Sequence, residues 1–255
     1  MSQGTTKGVP IDTDDELTLN SDLLVPSQKA VKTYVDNVSI VDPARVYDVI
    51  EDFEATIRFS ASTGSAGSLT QNITGVSTSR HIGIVRFRVS TLNGYAMYTG
   101  GTNTIQFGSA TWTAETLVRL AHLSDGTDDY IIRLGFGDTI TNADVTDGAY
   151  FEYNKATSVN WLMCTANGSS YTRTATSTAV ATGSWIKLKL VVNSDATLVT
   201  YYINDVSVGT VSTNIPTSNA TGLLLQSAKT LGSGQRDFYM DYARFRGEWA
   251  SGTRY

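Results

Sequence analysis

The sequence predicts an all-β protein made of two packed antiparallel sheets, and three observations support this fold class. From about residue 49 onward, apolar and polar residues alternate with a period of two, the pattern of half-buried strands. Turn-forming residues interrupt this alternation at intervals of about 8 to 15 positions. Charged residues make up only 17% of the chain, whereas Thr, Ser, Asn and Gly are abundant, as in strands with uncharged polar outer faces.

The alternation is clearest in the segment that begins at Trp185. Here Ile186, Leu188 and Leu190 share one face, while the intervening lysines lie on the other. The apolar face is therefore predicted to pack in the core and the lysine face to contact solvent. The same reading predicts strands at 53–60, 81–90, 114–123, 130–136, 149–154, 160–165, 171–176, 185–191, 198–204, 222–227 and 237–245. We expect these strands to form one β domain over residues 49–255, because a single all-β domain of that length is common.

The N-terminal part has a different pattern. Residues 1–20 contain an acidic cluster and little apolar periodicity, which predicts an extended arm. Residues 21–48 are predicted to be a helical connector, with Pro26 in the first helical turn and a helix over about 27–37. Apolar residues recur there at spacings of three and four and include Val31, Tyr34 and Val35. A helix this short must bury its stripe, against either its own domain or its own copies.

Periodicity alone favours an ordinary helix docked on its own core. However, residues 25–36 resemble the connector of bacteriophage tail-fibre and spike proteins. The resemblance implies a virion protein, assembled in the bacterial cytoplasm and exposed on the particle. It also implies a homotrimer with Val31, Tyr34 and Val35 at the seam, and an arm that binds other virion proteins.

Composition argues against several other roles. The net charge of −5 argues against a general nucleic-acid binder, which needs a basic face. The apolar runs are shorter than a membrane span requires, so we expect no membrane insertion. Cys164 is the single cysteine, which excludes an intrachain disulfide and predicts a small buried apolar side chain.

The second half of the chain carries a further resemblance. Its motifs lie at 130–138, 147–153, 160–161, 200–205, 213–217 and 240–245. In order and spacing they resemble the concanavalin A-like lectin and glucanase family, in its laminin G-like form. The resemblance implies a two-sheet jelly roll. It departs from the family at Asp205, which replaces the usual Gly of a hairpin, so the hairpin is expected but its turn type is open.

Glucanases of this family place three carboxylates on alternate positions of one strand, and no such arrangement occurs here. The nearest clusters, 51–54 and 125–129, are predicted to be solvated strand or turn ends. His81 and His122 are the only histidines, and no nucleophile elbow accompanies them. We therefore expect no enzymatic activity and no catalytic residues.

A structural calcium ion is the one cofactor that the resemblance suggests. Asp241 begins a segment similar to the strand whose Asp helps to hold a structural ion in the family's glucanases. Asp241 shares parity with Tyr239, Ala243 and Phe245, so it is expected to point toward the core, where a carboxylate needs a cation or several donors. The alternative is an Asp241 that accepts backbone N–H bonds or pairs with an arginine.

Strand parity also predicts a glycan-binding face. Some side chains alternate with the predicted core residues and are therefore expected to point to the opposite, solvent-facing side of their strands. They are Arg133, Tyr150, Glu152, Asn160 and Tyr202. Aromatic faces beside hydrogen-bonding groups suit sugars, although outward aromatics also serve cross-strand pairing. The function expected from the sequence is a bacteriophage attachment protein that binds a host-surface glycan. Two alternatives remain: a purely architectural virion module, and a glycan hydrolase with an unrecognised site.

Overall fold

A computed structural model describes residues 11–12, 25–26, 45–54, 56–71, 81, 83–101 and 103–249. The chain divides into two compact units, residues 1–44 and 45–255. In the first unit, β1 (Ile11–Asp12) pairs in parallel with β2 (Val25–Pro26). Pro26 therefore lies in a short strand instead of the predicted first helical turn, a position that Pro tolerates at a sheet edge. The predicted helix, with Val31, Tyr34 and Val35, lies outside the described residues.

The second unit is a sandwich of two antiparallel sheets, as the sequence predicts, and no helix occurs among the described residues. Accordingly, the described part of the chain contains no helix that could cross a membrane. The strands of the second unit are β3 (Val46–Glu51), β4 (Ser60–Gly64), β5 (Ser68–Thr70), β6 (Val85–Val89), β7 (Tyr95–Thr99), β8 (Thr111–Leu120), β9 (Asp129–Gly137), β10 (Gly148–Asn154), β11 (Asn160–Asn167), β12 (Ser170–Ala179), β13 (Ile186–Val192), β14 (Val199–Ile203), β15 (Val206–Val211), β16 (Gly222–Leu231) and β17 (Arg236–Glu248).

Sheet I has seven strands in the order β12-β11-β10-β9-β16-β7-β4. Sheet II has eight strands; seven follow the order β15-β14-β13-β8-β17-β6-β5, and the eighth, β3, pairs with β17. The main core lies between the sheets and is rich in aromatic rings. Phe87 stacks on Phe238 with a centroid separation of 4.4 Å, and Phe136 of sheet I contacts Phe245 of sheet II at 5.8 Å. The first contact lies within sheet II, whereas the second joins the two sheets across the hydrophobic core.

One predicted strand is wrong, and several strands were not predicted. Residues 53–60 were expected to form a strand, but Phe53 has a φ of 55° and the described residues from Phe53 to Phe59 are not in a strand. Phe53 is nevertheless fully buried, so its apolar character reflects packing and not a strand. The strands that the alternation did not reveal are β3, β4, β5, β7 and β15. The short β4 and β5 consist mainly of Ser, Thr, Ala and Gly, which carry little hydrophobic signal.

The hairpin with Asp205 at its turn is present. Asn204 and Asp205 have φ values of 50° and 65°, so both central residues adopt the left-handed conformation of a type I′ turn. The amide N–H of Lys187 donates to Asn204 Oδ1 at 3.0 Å, and Lys187 Nζ lies 2.5 Å from an Asp205 carboxylate oxygen. These contacts support a turn that lacks the usual glycine.

A β-bulge in β17 corrects the predicted orientation of Asp241. The pairing register of β17 with β8 shifts between Met240 and Tyr242. Core residues before the bulge have even numbers and include Met240, whereas core residues after it have odd numbers and include Ala243. Asp241 is therefore not on the core side with Ala243 and Phe245, because the extra residue reverses the alternation at that point.

Candidate functional site

The predicted glycan-binding residues of β9 and β10 lie on the expected side of sheet I but are not exposed. Arg133, Tyr150 and Glu152 point away from the core between the sheets, as strand parity predicts. Their exposed fractions are only 1%, 0% and 0%. The prediction of a wet face is therefore wrong for these three residues.

Residues 138–147, which we call the strap, account for this burial. Arg133 Nη1 donates to the Ala143 carbonyl at 3.1 Å, and Arg133 Nη2 pairs with the Asp144 carboxylate. Gln226 Nε2 donates to the Thr141 carbonyl, and Val145 is completely buried. The strap connects β9 to β10 and carries no periodic pattern, so the sequence did not reveal that it folds back over the sheet.

The side chains beneath the strap form a network of buried charges. Arg133 Nε donates to Glu152 at 2.9 Å, and Arg133 Nη1 also donates to Gln226 Oε1 at 2.8 Å. Arg173 Nε lies 3.3 Å from the other Glu152 oxygen, within ion-pair distance but outside hydrogen-bonding geometry. Both oxygens of this carboxylate thus face guanidinium groups. Such pairing stabilises its negative charge in a buried environment.

A second hydrophobic cluster accompanies the charges. It contains Met97, Val145, Tyr150, Leu162, Cys164, Ala166 and Leu224. Burial raises the pKa of Cys164 and the pKa of Tyr150 well above their ordinary values. The Tyr150 hydroxyl is buried without a hydrogen-bond partner. This face of sheet I is therefore a second core, in which Cys164 has the buried position that the sequence predicts.

Asn160 and Tyr202 do not join the other three predicted residues on one accessible surface. Asn160 lies at the start of β11, and its Nδ2 donates to the Thr176 carbonyl at 2.7 Å. Tyr202 belongs to β14 of sheet II, where Lys189 Nζ lies 4.5 Å from its ring centroid. Both are partly exposed. The structure thus separates the five residues into a buried cluster, a strand end and a different sheet.

The predicted metal ligand has a histidine partner. Asp241 Oδ2 lies 2.9 Å from His81 Nδ1, and both side chains are largely buried. The His81 ring stacks on Trp185 with a centroid separation of 4.6 Å. Among the described residues, no group of three or more His, Cys, Asp or Glu side chains is arranged to hold a metal ion. Asp241 therefore has a hydrogen-bonding side-chain partner, as in the alternative to a metal ion, but the partner is His81 and not an arginine or a backbone N–H.

The acidic clusters are structural and are not simply solvated ends. Glu51 is buried and accepts backbone N–H bonds from Phe53 and Arg58 at 3.0 and 2.8 Å. Asp128 pairs with the buried Lys229 at 2.9 Å. Backbone N–H bonds from the turn, at residues 128 and 127, lower the pKa of Asp125 to about 2, with a further contribution from Arg236. Glu51 and Asp125 thus accept hydrogen bonds from backbone N–H groups of turns, and Asp128 pairs with a buried lysine.

An accessible pocket lies elsewhere, at the end of the sandwich where β8 begins. This rim pocket has a volume of about 350 Å³. Its aromatic wall consists of Tyr47, Trp112 and Trp249, and its polar lining includes Thr104, Gln106 and Ser109. The volume lies at the lower end of the range of about 300 to 1,000 Å³ that is typical of ligand pockets.

Strand pairing brings the aromatic wall together. Gly247 of β17 lies opposite both Tyr47 of β3 and Trp112 of β8, and Trp249 follows two residues after Gly247. The Trp112 ring lies 5.6 Å from the Trp249 ring and 6.4 Å from the Tyr47 ring, measured between centroids. The Trp112 ring also lies so near Gly247 that a Cβ at that position would approach it to 2.5 Å. Gly247 is thus required for the observed position of the Trp112 ring.

Polar groups with spare hydrogen-bonding capacity surround this wall. Gln106 Nε2 donates to the Thr217 carbonyl at 2.9 Å, which holds the amide and leaves Gln106 Oε1 to accept. Thr104 and Ser109 are exposed at the mouth. Trp112 is almost completely buried, and its Nε1 donor has no hydrogen-bond partner. Sequence reasoning missed this site because its aromatic residues lie at the ends of strands that are far apart in the chain.

The two antiparallel sheets form a jelly-roll sandwich. The model of the SO2946-like family, C-terminal domain, matches residues 80–241. The chain belongs to this family. No protein of curated function matches the chain by sequence.

Three solved structures illustrate the similarity of fold. SO2946 from Shewanella oneidensis MR-1, a protein of unknown function, has 14% identity and a TM-score of 0.61, with 91% of this chain and 98% of that chain covered. The endo-β-1,4-glucuronan lyase from the fungus Trichoderma reesei has 10% identity and a TM-score of 0.56, with coverage of 77% and 94%. Peanut lectin has 10% identity and a TM-score of 0.55, with coverage of 82% and 100%. At these identities the similarity establishes the jelly-roll fold.

Proposed function

We propose that the jelly roll is a glycan-binding module without catalytic activity, and that the rim pocket is its binding site. The observation that carries the proposal is the aromatic wall of Tyr47, Trp112 and Trp249 beside exposed polar groups. Sugars present C–H patches that stack on aromatic faces and hydroxyls that require hydrogen bonds. None of the described residues that line the pocket is charged, so the proposed ligand is a neutral glycan.

Isothermal titration calorimetry with neutral glucan oligosaccharides, and with glucuronan fragments as the acidic comparison, would test the proposal. Trp249→Ala and Gln106→Ala should each weaken binding of the neutral oligosaccharides, by at least about tenfold for the tryptophan. Tyr239→Ala is the matched control, because it removes a partly exposed aromatic ring outside the rim pocket. Equal binding by Trp249→Ala and the unsubstituted protein would exclude the rim pocket, and stronger binding of glucuronan would contradict the neutral ligand.

The proposal that the module does not cleave glycans rests on the strap. The cluster beneath it contains Glu152, whose two oxygens pair with Arg133 and Arg173, while Asp144 of the strap is half exposed. A retaining hydrolase needs a nucleophile and an acid that both contact the substrate. Incubation with the same oligosaccharides should therefore release no new reducing ends and no unsaturated products. Release that Glu152→Gln abolishes would support the alternative of a hydrolase or a lyase.

The role in a bacteriophage particle is a separate proposal, supported by the resemblance of residues 25–36 to tail-fibre connectors. In this proposal the chain is a homotrimer, and its N-terminal arm binds other virion proteins. Light scattering should give a trimer for the unsubstituted protein and a smaller species for Val31→Asp. A monomeric mass for both would contradict the trimer, whereas a trimer without glycan binding would favour the architectural alternative.

A further inference from the structure

A second, smaller pocket lies at the opposite end of the sandwich from the rim pocket. We call it the distal pocket; its volume is about 130 Å³, and its lining includes Trp161, Ala179, Ala181, Ser184, Trp185 and Asn204. Its position follows from strand pairing. Ile186 of its lining pairs with Val118 near the end of β8, whereas Trp112 of the rim pocket lies near the beginning of that strand. At about 3.3 Å per residue, the two pockets are roughly 20 Å apart along β8.

Two indole rings form the apolar walls of the distal pocket, and the structure holds each in place. His81 covers one face of Trp185 and is itself fixed by Asp241, so only the other face and the ring edges can line the pocket. Trp161 is 1% exposed and packs edge-on against Phe151 and Tyr153. The walls are therefore preorganised, which lowers the cost of binding a small rigid group.

Hydrogen-bond donors accompany these walls. Trp161 Nε1 is buried and has no partner, although a buried indole N–H usually finds one. Asn204 Oδ1 accepts from the backbone amide of Lys187. This hydrogen bond fixes the plane of the Asn204 side-chain amide and therefore the direction in which its Nδ2 group can donate. Ser184 is exposed at the mouth. None of the described residues lining the pocket carries a charge.

We propose that the distal pocket binds the acetamido group of an N-acetylated sugar. The group is small, neutral and planar, it carries one methyl that can pack against the alanines and indoles, and its carbonyl can accept from a buried N–H. At about 130 Å³ the pocket is less than half the size of the rim pocket, so it suits a substituent and not a whole sugar ring. The sugar ring itself would remain at the mouth, beside Ser184 and Asn204.

The side chain of acetyl-lysine carries the same acetamido group, but its apolar methylene chain would have to lie against the polar residues at the entrance of the pocket. Exposed Ser184 and Asn204 suit the hydroxyls of a sugar ring better than a chain of methylene groups. This inference does not depend on the rim pocket, because the two sites share no lining residue. Each site can therefore fail its own test without affecting the other.

Saturation-transfer difference NMR with N-acetylglucosamine, glucose and an acetyl-lysine peptide tests the proposal. The N-acetyl methyl should show the largest saturation, and glucose should show no signal that depends on the distal pocket. Ala181→Leu fills the pocket while retaining both tryptophans, and it should weaken binding of N-acetylglucosamine at least about tenfold. Trp185→Phe, which retains an aromatic ring beside His81, should weaken binding less.

Ala156→Leu, an equivalent change at an exposed alanine outside the pocket, should leave binding unchanged. Thermal melting of each variant shows whether it is folded. Equal signals from glucose and N-acetylglucosamine, or full binding by a folded Ala181→Leu, would overturn the proposal. Selective binding of the acetyl-lysine peptide would overturn it in favour of a peptide ligand.

Discussion

The two faces of sheet I bury their side chains by different means. The face toward sheet II contacts an aromatic and aliphatic core, with Leu134, Phe136 and Phe151 in its centre. The opposite face is covered by the strap and combines apolar residues with the charges of Arg133 and Glu152. Because burial under the strap depends on specific polar contacts, that face should respond sharply to the loss of a charge, whereas the inner face should respond to the loss of volume.

The largest effect is expected from Glu152→Ala. It removes the fully buried carboxylate that pairs with the almost fully buried Arg133 guanidinium, and removing one member of a buried ion pair costs about 3 to 5 kcal/mol. Urea denaturation followed by tryptophan fluorescence measures this loss. Glu248→Ala is the matched control, because the Glu248 carboxylate is half exposed and its ion pair with Arg246 should contribute less than about 1 kcal/mol. Equal losses in the two variants would mean that the network is not effectively buried.

Leu134→Ala should destabilise the protein by about 3 kcal/mol through a cavity in the inner face. The neighbouring side chains belong to both sheets, so they can collapse only partly into the space. Urea denaturation again gives the magnitude. If this loss exceeded that of Glu152→Ala, the inner face would be the more sensitive of the two, and the comparison would be reversed.

Asp144→Asn should have a smaller effect on global stability, less than about 1 kcal/mol, because the Asp144 carboxylate is half exposed. Its local effect should be larger, since Asp144 pairs with both Arg133 and Arg173. Hydrogen exchange should therefore increase within the strap and remain unchanged in β13 and β14. Uniformly faster hydrogen exchange across both sheets would show that the strap does not open separately from the rest of the fold.

The smallest change in stability is expected from Tyr150→Phe, and the informative result is whether stability rises or falls. The Tyr150 hydroxyl is buried without a partner, so its removal should leave stability unchanged or raise it by up to about 1 kcal/mol. Tyr153→Phe is the comparison, because the Tyr153 hydroxyl accepts from the Ser124 amide at 2.9 Å, and its loss should be destabilising. A clear loss of stability in Tyr150→Phe would show that the hydroxyl has a partner.

The sequence predicted the two-sheet sandwich and the side on which β9 and β10 place each residue. Period-two alternation carries that information, since neighbouring side chains in a strand point in opposite directions. Alternation does not report what covers a face, so the burial of Arg133 beneath an aperiodic strap was not predicted. It also fails where a bulge adds one residue, as at Asp241.

The two pockets could not be predicted from the sequence, for a related reason. Trp112 and Trp249 approach each other only because β17 lies beside β8, and strand order in a sheet is not contained in a local pattern. The same holds for Trp161 in β11 of sheet I and Trp185 immediately before β13 of sheet II. Aromatic residues at the ends of strands are a usable signal, but the sequence alone does not show which ends meet.

The position of β17 also has a consequence for biosynthesis. This strand pairs with β8 on one side and with both β6 and β3 on the other, so it joins two parts of sheet II that are made much earlier. A nascent chain that ends before residue 236 presents β8 and β6 with unpaired backbone edges, which are templates for association with other chains. The ribosome must therefore deliver nearly the whole jelly roll before sheet II can close, and chains truncated before β17 should accumulate as aggregates.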